Sequence, residues 1–107
     1  MKELVWTAHA RFKMKYYSLS ESRVKRVLNR PDRVEEGIVE NTIAMMQANR
    51  TSKKPYEIWI MLNSLPIKSS KLRANSLRVI SAWKYPGRTK PGEPLPKEIA
   101  REIREIT

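Results

Sequence analysis

The chain has 107 residues, 22 lysines and arginines against 11 aspartates and glutamates, a formal net charge of +11 and 40% hydrophobic residues. That length suits one domain with a single core, and that apolar fraction separates it from disordered chains. The absence of cysteine excludes disulfides, thiolate metal sites and cysteine nucleophiles, and no apolar run approaches the roughly 20 residues of a membrane span.

Periodicity and capping signals place the elements in order. Glu3-Leu4-Val5-Trp6 reads as a short first strand. Thr7 is positioned to cap a helix from Ala8 to about Tyr17, with Ala10, Met14 and Tyr17 along one face. The Ser18-Leu19-Ser20 break precedes a second helix. Ser20 is its N-cap, Leu19 and Val24 hold the two positions of a hydrophobic staple, and Val24, Val27 and Leu28 form the apolar stripe. Arg23, Arg26 and Arg30 share a different, basic face, and Pro31 ends the helix. Arg33-Val34-Glu35 then leads to a turn at Gly37, and Ile38 to Ala48 reads as a strand. Tyr56 to Leu62 is apolar on both alternating faces, the mark of a central strand. After a polar, basic loop from Ser64 to Ser76, Leu77 to Tyr85 reads as the last strand. Strict alternation there puts Leu77, Val79, Ser81 and Trp83 on one face and Arg78, Ile80, Ala82 and Lys84 on the other. Pro86 to Pro94 is irregular, and Pro96 starts a short helix with Ile99, Ile103 and Ile106 on one side.

These signals predict an α+β fold in which two N-terminal helices pack on one face of a roughly four-stranded antiparallel sheet. Residues 1–86 make the domain, and 87–107 a Pro/Gly-rich linker and C-terminal helix. The sheet face away from the helices is expected to be open and lined by basic residues.

The charge is unevenly spread: residues 50–90 hold ten basic residues and one acid, Glu57. Such a surface attracts phosphate backbones through counterion release, so a nucleic acid, above all RNA, is the expected partner. The phosphate-binding candidates are Arg23, Arg26 and Arg30 on the second helix, with Lys53, Lys54 and Lys90 in loops. Several chemistries lack their residues. The three glycines are scattered, so no phosphate-cradling loop exists; one histidine without cysteine argues against zinc. Pro31-Asp32 could begin a metal-nuclease motif, but no acid-x-Lys element follows it among Glu35, Glu36, Glu40 and Glu57. No cofactor or metal is expected, and the start at Met1 without a signal-peptide pattern leads us to expect a cytoplasmic protein with no membrane association.

The pattern His9-Ala10, Lys13-Met14, Ser18-Leu19-Ser20, Val24, Val27-Leu28, Pro31-Asp32 and Arg78-Val79-Ile80-Ser81-Ala82-Trp83 resembles a small bacterial and archaeal family similar to the RelE and BrnT toxins. The resemblance covers roughly residues 4 to 86. Tyr17-Ser18 stands where that family often has Arg-Gly, and the loop from Ser64 to Ser76 is longer than usual. It implies a barnase-like α+β fold and metal-free RNA cleavage, on free or ribosome-bound RNA, with an antitoxin as a further partner.

Metal-free cleavage needs a group to move the 2′-hydroxyl proton and cations to stabilise the phosphorane. His9, the only side chain whose unperturbed pKa lies near neutrality, is the acid–base candidate; Arg78, Lys84 and Arg88 are the candidates for charge stabilisation. Each also has a plain structural reading, as a helix-start hydrogen-bonding histidine or a solvated basic face. Trp59 and Trp83 are expected in the core; either, if exposed, would be a stacking platform for single-stranded RNA. The leading expectation is an RNA-directed protein of the metal-independent ribonuclease toxin kind. The alternatives are a non-catalytic nucleic-acid-binding protein and an interaction protein that binds an acidic partner; oligomeric state stays open.

Overall fold

The computed structural model describes residues 4–36, 42–49, 53–63 and 77–87. The described elements follow the order β1 (Leu4–Trp6), α1 (Ala8–Tyr16), α2 (Glu21–Asn29), β2 (Arg33–Glu36), β3 (Thr42–Asn49), β4 (Tyr56–Asn63) and β5 (Leu77–Pro86). The strands form one five-stranded sheet in the order β1-β5-β4-β3-β2. The α+β class is as predicted, but the sheet is mixed, not a four-stranded antiparallel one. Strands β2 to β5 pair antiparallel, while β1 adds to the outer edge of β5 in parallel, Leu4 opposite Leu77 and Trp6 opposite Val79. A three-residue strand carries too little local pattern to announce its partner, which lies more than 70 residues away. The predicted helix from Pro96 and the loop from Ser64 to Ser76 lie outside the described residues.

Both helices begin where the capping signals put them. The Thr7 hydroxyl accepts the Ala10 N–H at 3.0 Å, and the Ser20 hydroxyl accepts the Arg23 N–H at 3.1 Å. Leu19 and Val24 are both buried in the same cluster, as a hydrophobic staple requires. Helix α1 ends in a left-handed C-terminal turn. The Leu19 N–H reaches the Met14 carbonyl at 2.7 Å, the Ser18 N–H reaches that of Lys15 at 3.2 Å, and Ser18 has φ 56°. This is the Schellman arrangement, with serine in the place glycine usually takes.

The helices cover one sheet face. Ala10 and Met14 of α1 and Val24 and Val27 of α2 pack with Ile58, Ile60 and Leu62 of β4 and Val79 and Ala82 of β5. The opposite face was expected to be open, and it is not. Ala44, Met46, Trp59, Met61, Ile80 and Trp83 form a second cluster there, with Trp59, Met61 and Trp83 at 0% exposure. The reason is already in β4, whose alternate residues are apolar on both sides: the sheet is an interior layer along its middle strands.

The predicted faces of β5 also change. Register shifts between Met61 and Leu62 of β4, so that Met61 opposes Ser81 while Leu62 opposes Val79, leaving Ile80 as the extra residue of a β-bulge. Beyond it the alternation inverts. Val79 and Ala82 share the helix side, and Ile80 and Trp83 share the other.

Candidate functional site

Among the described residues, cations concentrate on the helical layer. From Ala8 to Arg30 the basic residues are Arg11, Lys13, Lys15, Arg23, Lys25, Arg26 and Arg30, and Glu21 is the sole acid. Burial of Ala10, Met14, Val24 and Val27 against the sheet turns the opposite side of each helix outward. Lys15, Lys25, Arg26 and Arg30 are exposed. Arg11 is exposed too but committed: its Nη1 lies 3.3 Å from Glu21 Oε1, which ties the two helices together, and its guanidinium lies 5.7 Å from the centre of the Trp6 ring.

Arg23 differs from its predicted companions. It is half-buried and donates through Nη1 to Gln47 Oε1 at 2.9 Å, while Gln47 Nε2 donates to the Arg30 carbonyl at 3.3 Å. Gln47 thus straps α2 to β3, with Arg23 on the strap. Of the predicted stripe, Arg26 and Arg30 remain on open surface. Lys53 and Lys54 are exposed before β4, at the end of the sheet where Tyr56 pairs with Pro86. Lys90 lies outside the described residues.

The residues considered for catalysis are not gathered. His9 stands in the first turn of α1, half-buried, with its Nε2 shielded from solvent. Arg78 and Lys84 were expected on one face of β5; the bulge puts them on opposite faces. Arg78 pairs with Asn63, on the side of Trp59, whereas Lys84 pairs with Ile58, on the helix side, its ammonium 5.2 Å from the centre of the Tyr56 ring. The sheet therefore stands between Arg78 and both other groups. Arg88 lies outside the described residues.

Asp32, Glu35 and Glu57 have structural work. Asp32 Oδ2 accepts the Ala48 N–H at 2.8 Å and the Asp32 N–H reaches the Met46 carbonyl at 2.7 Å, extending the β2–β3 pairing towards Pro31. On the face away from the helices, Glu57 is 2% exposed and its Oε1 accepts the Trp59 Nε1–H at 3.0 Å. Arg33 lies over the Trp59 ring at 5.2 Å, bonds Glu35 at 3.0 Å and comes within 4.0 Å of Glu57 Oε2. Trp59 and Trp83 stack with ring centres 6.0 Å apart and planes within 3°. Both are interior, so neither offers a face to a base. Among the described residues, no three His, Asp or Glu side chains cluster as metal ligands, and no helix is long and apolar enough to cross a membrane.

The exposed aromatics are different ones, which the sequence reading passed over: Phe12 at 64% and Tyr16 at 70%, one turn apart on α1. A signal for them exists. At 100° per residue they fall on the side of the helix away from the Ala10 and Met14 stripe. Comparison with protein-family models, curated proteins and solved structures returned no match for this chain.

Proposed function

We propose that this is an RNA-binding protein whose helical layer carries the phosphate contacts. One observation carries the reading: α1 and α2 present Lys15, Lys25, Arg26 and Arg30 on open surface, beside Arg11 and Lys13, with Glu21 as the only acid of either helix. Basic side chains fixed on a rigid layer match a polyanion by charge and spacing, and each phosphate they neutralise releases a counterion. The non-catalytic reading fits the described geometry better than a nuclease does, because Arg78 is parted by the sheet from Lys84 and His9. The likeness to RelE and BrnT toxins supports an RNA target of free or ribosome-bound kind and an acidic antitoxin as competitor for the same surface. It carries no activity by itself.

The test is RNA binding across a salt series with the full chain. Affinity should fall steeply as salt rises. Changing Lys25, Arg26 and Arg30 together to Ala should weaken binding to all sequences and reduce the slope of log K against log salt by about two, at ~0.7 per single-strand phosphate contact. Arg23 is left intact because its bond to Gln47 is structural. An unchanged slope would remove α2 from the interface, and no binding at low salt would end the RNA reading. Cleavage that survives EDTA, needs a 2′-hydroxyl and leaves a 2′,3′-cyclic phosphate would replace the non-catalytic reading with the ribonuclease.

A further inference from the structure

On α1 the two exposed rings do not stand alone. Successive residues step 100° around the helix, so Phe12 and Tyr16 form a ridge with Arg11 and Lys15 along one flank and His9 and Lys13 along the other. Lys13 Nζ lies 5.7 Å from the centre of the Tyr16 ring and 6.0 Å from that of Tyr17, and the Tyr16 and Tyr17 rings meet edge to face at 4.9 Å. One side of Tyr16 is thereby held, while 70% of the residue stays in water. The helix contains no acid. Burying Phe12 and Tyr16 in the core would have been the ordinary use of two aromatics; here Ala10 and Met14 fill the core side of the helix instead.

We propose that this ridge is a stacking platform for single-stranded RNA: the rings of Phe12 and Tyr16 take the faces of two neighbouring bases, and Lys13 and Lys15 meet the phosphates beside them. The inference rests on the RNA-binding reading and names the form of RNA and the residues that recognise it. Charge selects the occupant. A second copy docked symmetrically would bring another acid-free, cationic α1 against this one, and the like charges would repel. A polyanion is attracted, and of polyanions only an unpaired strand has base faces free to cover aromatic rings. An A-form duplex keeps its bases stacked inside and presents phosphates and 2′-hydroxyls. Two rings a turn apart, with Cβ atoms roughly 5–6 Å from each other, provide neighbouring sites along a splayed strand.

The experiment uses the full chain, a fluorescein-labelled 12-nucleotide single-stranded RNA and a duplex of the same length, read by anisotropy. Phe12→Ala and Tyr16→Ala should each weaken single-strand binding about five- to 150-fold, the range for loss of one stacked base, with an unchanged salt slope and little effect on the duplex. Tyr16→Phe should bind as wild type, since the ring is kept; Phe12→Leu, apolar but without a π face, should bind as weakly as Phe12→Ala. Both sites are exposed, and a far-UV spectrum unchanged by substitution certifies the fold. If wild type binds RNA and the double alanine variant binds the single strand equally well, the platform is overturned while the RNA reading stands. Equal losses on duplex and single strand overturn stacking as the cause. If wild type binds neither RNA, both proposals fall. A wild-type dimer that dissociates on Phe12→Ala, or binding of poly-glutamate with no RNA binding, gives the ridge to a protein partner and overturns this assignment.

Discussion

Thr7 joins three parts of the fold through one side chain. Its hydroxyl oxygen accepts the Ala10 N–H at 3.0 Å and caps α1, while its proton is directed at the carbonyls of Val79, 2.9 Å away, and Ile80, 3.2 Å away. Those are carbonyls of the β5 bulge, where ladder pairing is interrupted. Thr7→Val keeps the shape and suits the extended backbone at φ −75°, ψ 158°. It removes both hydrogen bonds and little else. An N-cap is worth about 1 kcal/mol, and a second, partly buried hydrogen bond about as much again; the Val79 carbonyl keeps the Thr7 N–H at 3.2 Å, which limits the loss. The expected destabilisation is about 2 kcal/mol, or roughly 10 °C in Tm for a domain of this size. Urea unfolding followed by far-UV circular dichroism should show a lower midpoint with an unchanged m-value. Thr7→Ser, which keeps both bonds, should lie within about 0.5 kcal/mol of wild type. A valine variant as stable as wild type, or a serine variant as weak as the valine, would refute the double role.

Two further outcomes follow from the backbone and the buried acid. Ser18→Gly should raise stability by about 0.5–1 kcal/mol, because the left-handed φ of 56° costs a side chain more than glycine loses in unfolded-state entropy; a lower melting temperature would contradict this. Glu57→Ala should cost about 2–4 kcal/mol, mainly by leaving the buried Trp59 Nε1–H without its acceptor and also by removing one of the two carboxylates near Arg33, whereas Glu57→Gln, which still accepts from Trp59, should cost about 1 kcal/mol. Equal losses in the two, measured by urea midpoint, would show that the hydrogen bond to Trp59 is not the main contribution.

What the sequence discloses and what it hides divide along a physical line. Features set within one turn of chain were legible: the Thr7 and Ser20 caps, the Leu19–Val24 staple, and a β4 strand apolar on both sides. Features set by strands meeting across the sheet were not. Nothing local in Leu77 to Tyr85, which contains no glycine, announces a bulge at Ile80, yet that one residue moves Lys84 to the other side of the sheet from Arg78. The strap from Arg23 to Gln47 and the bond from Asp32 to Ala48 likewise depend on α2 and β3 being neighbours in space, so a residue read as a phosphate ligand and one read as a possible metal ligand both prove to hold the backbone in place.

The same geometry bears on why the proposed RNA contacts are placed on the helices. A sheet buried on both sides along β4 and β5 has no open middle to offer a ligand, so among the described residues it is left with its edges and the outer surface of α1 and α2. The β2 edge bears Glu35 and Glu36, follows Asp32, and exposes Val34 at 56%. Acids on an edge repel phosphate and also discourage strand addition by another chain. The helical layer has the reverse balance. Under the proposed reading, an RNA strand approaching this molecule would therefore be turned from the β2 edge towards α1 and α2. There the Lys25, Arg26 and Arg30 substitutions should act on the salt slope and the Phe12 and Tyr16 substitutions on affinity at constant slope, and a double-mutant cycle between the two sets would measure whether one bound strand crosses both helices. Losses that add fully on a 12-nucleotide strand, with no coupling and no competition between sites, fit one ligand spanning both; a ligand that chooses between two separate sites would make the combined variant far weaker than the single losses add up to.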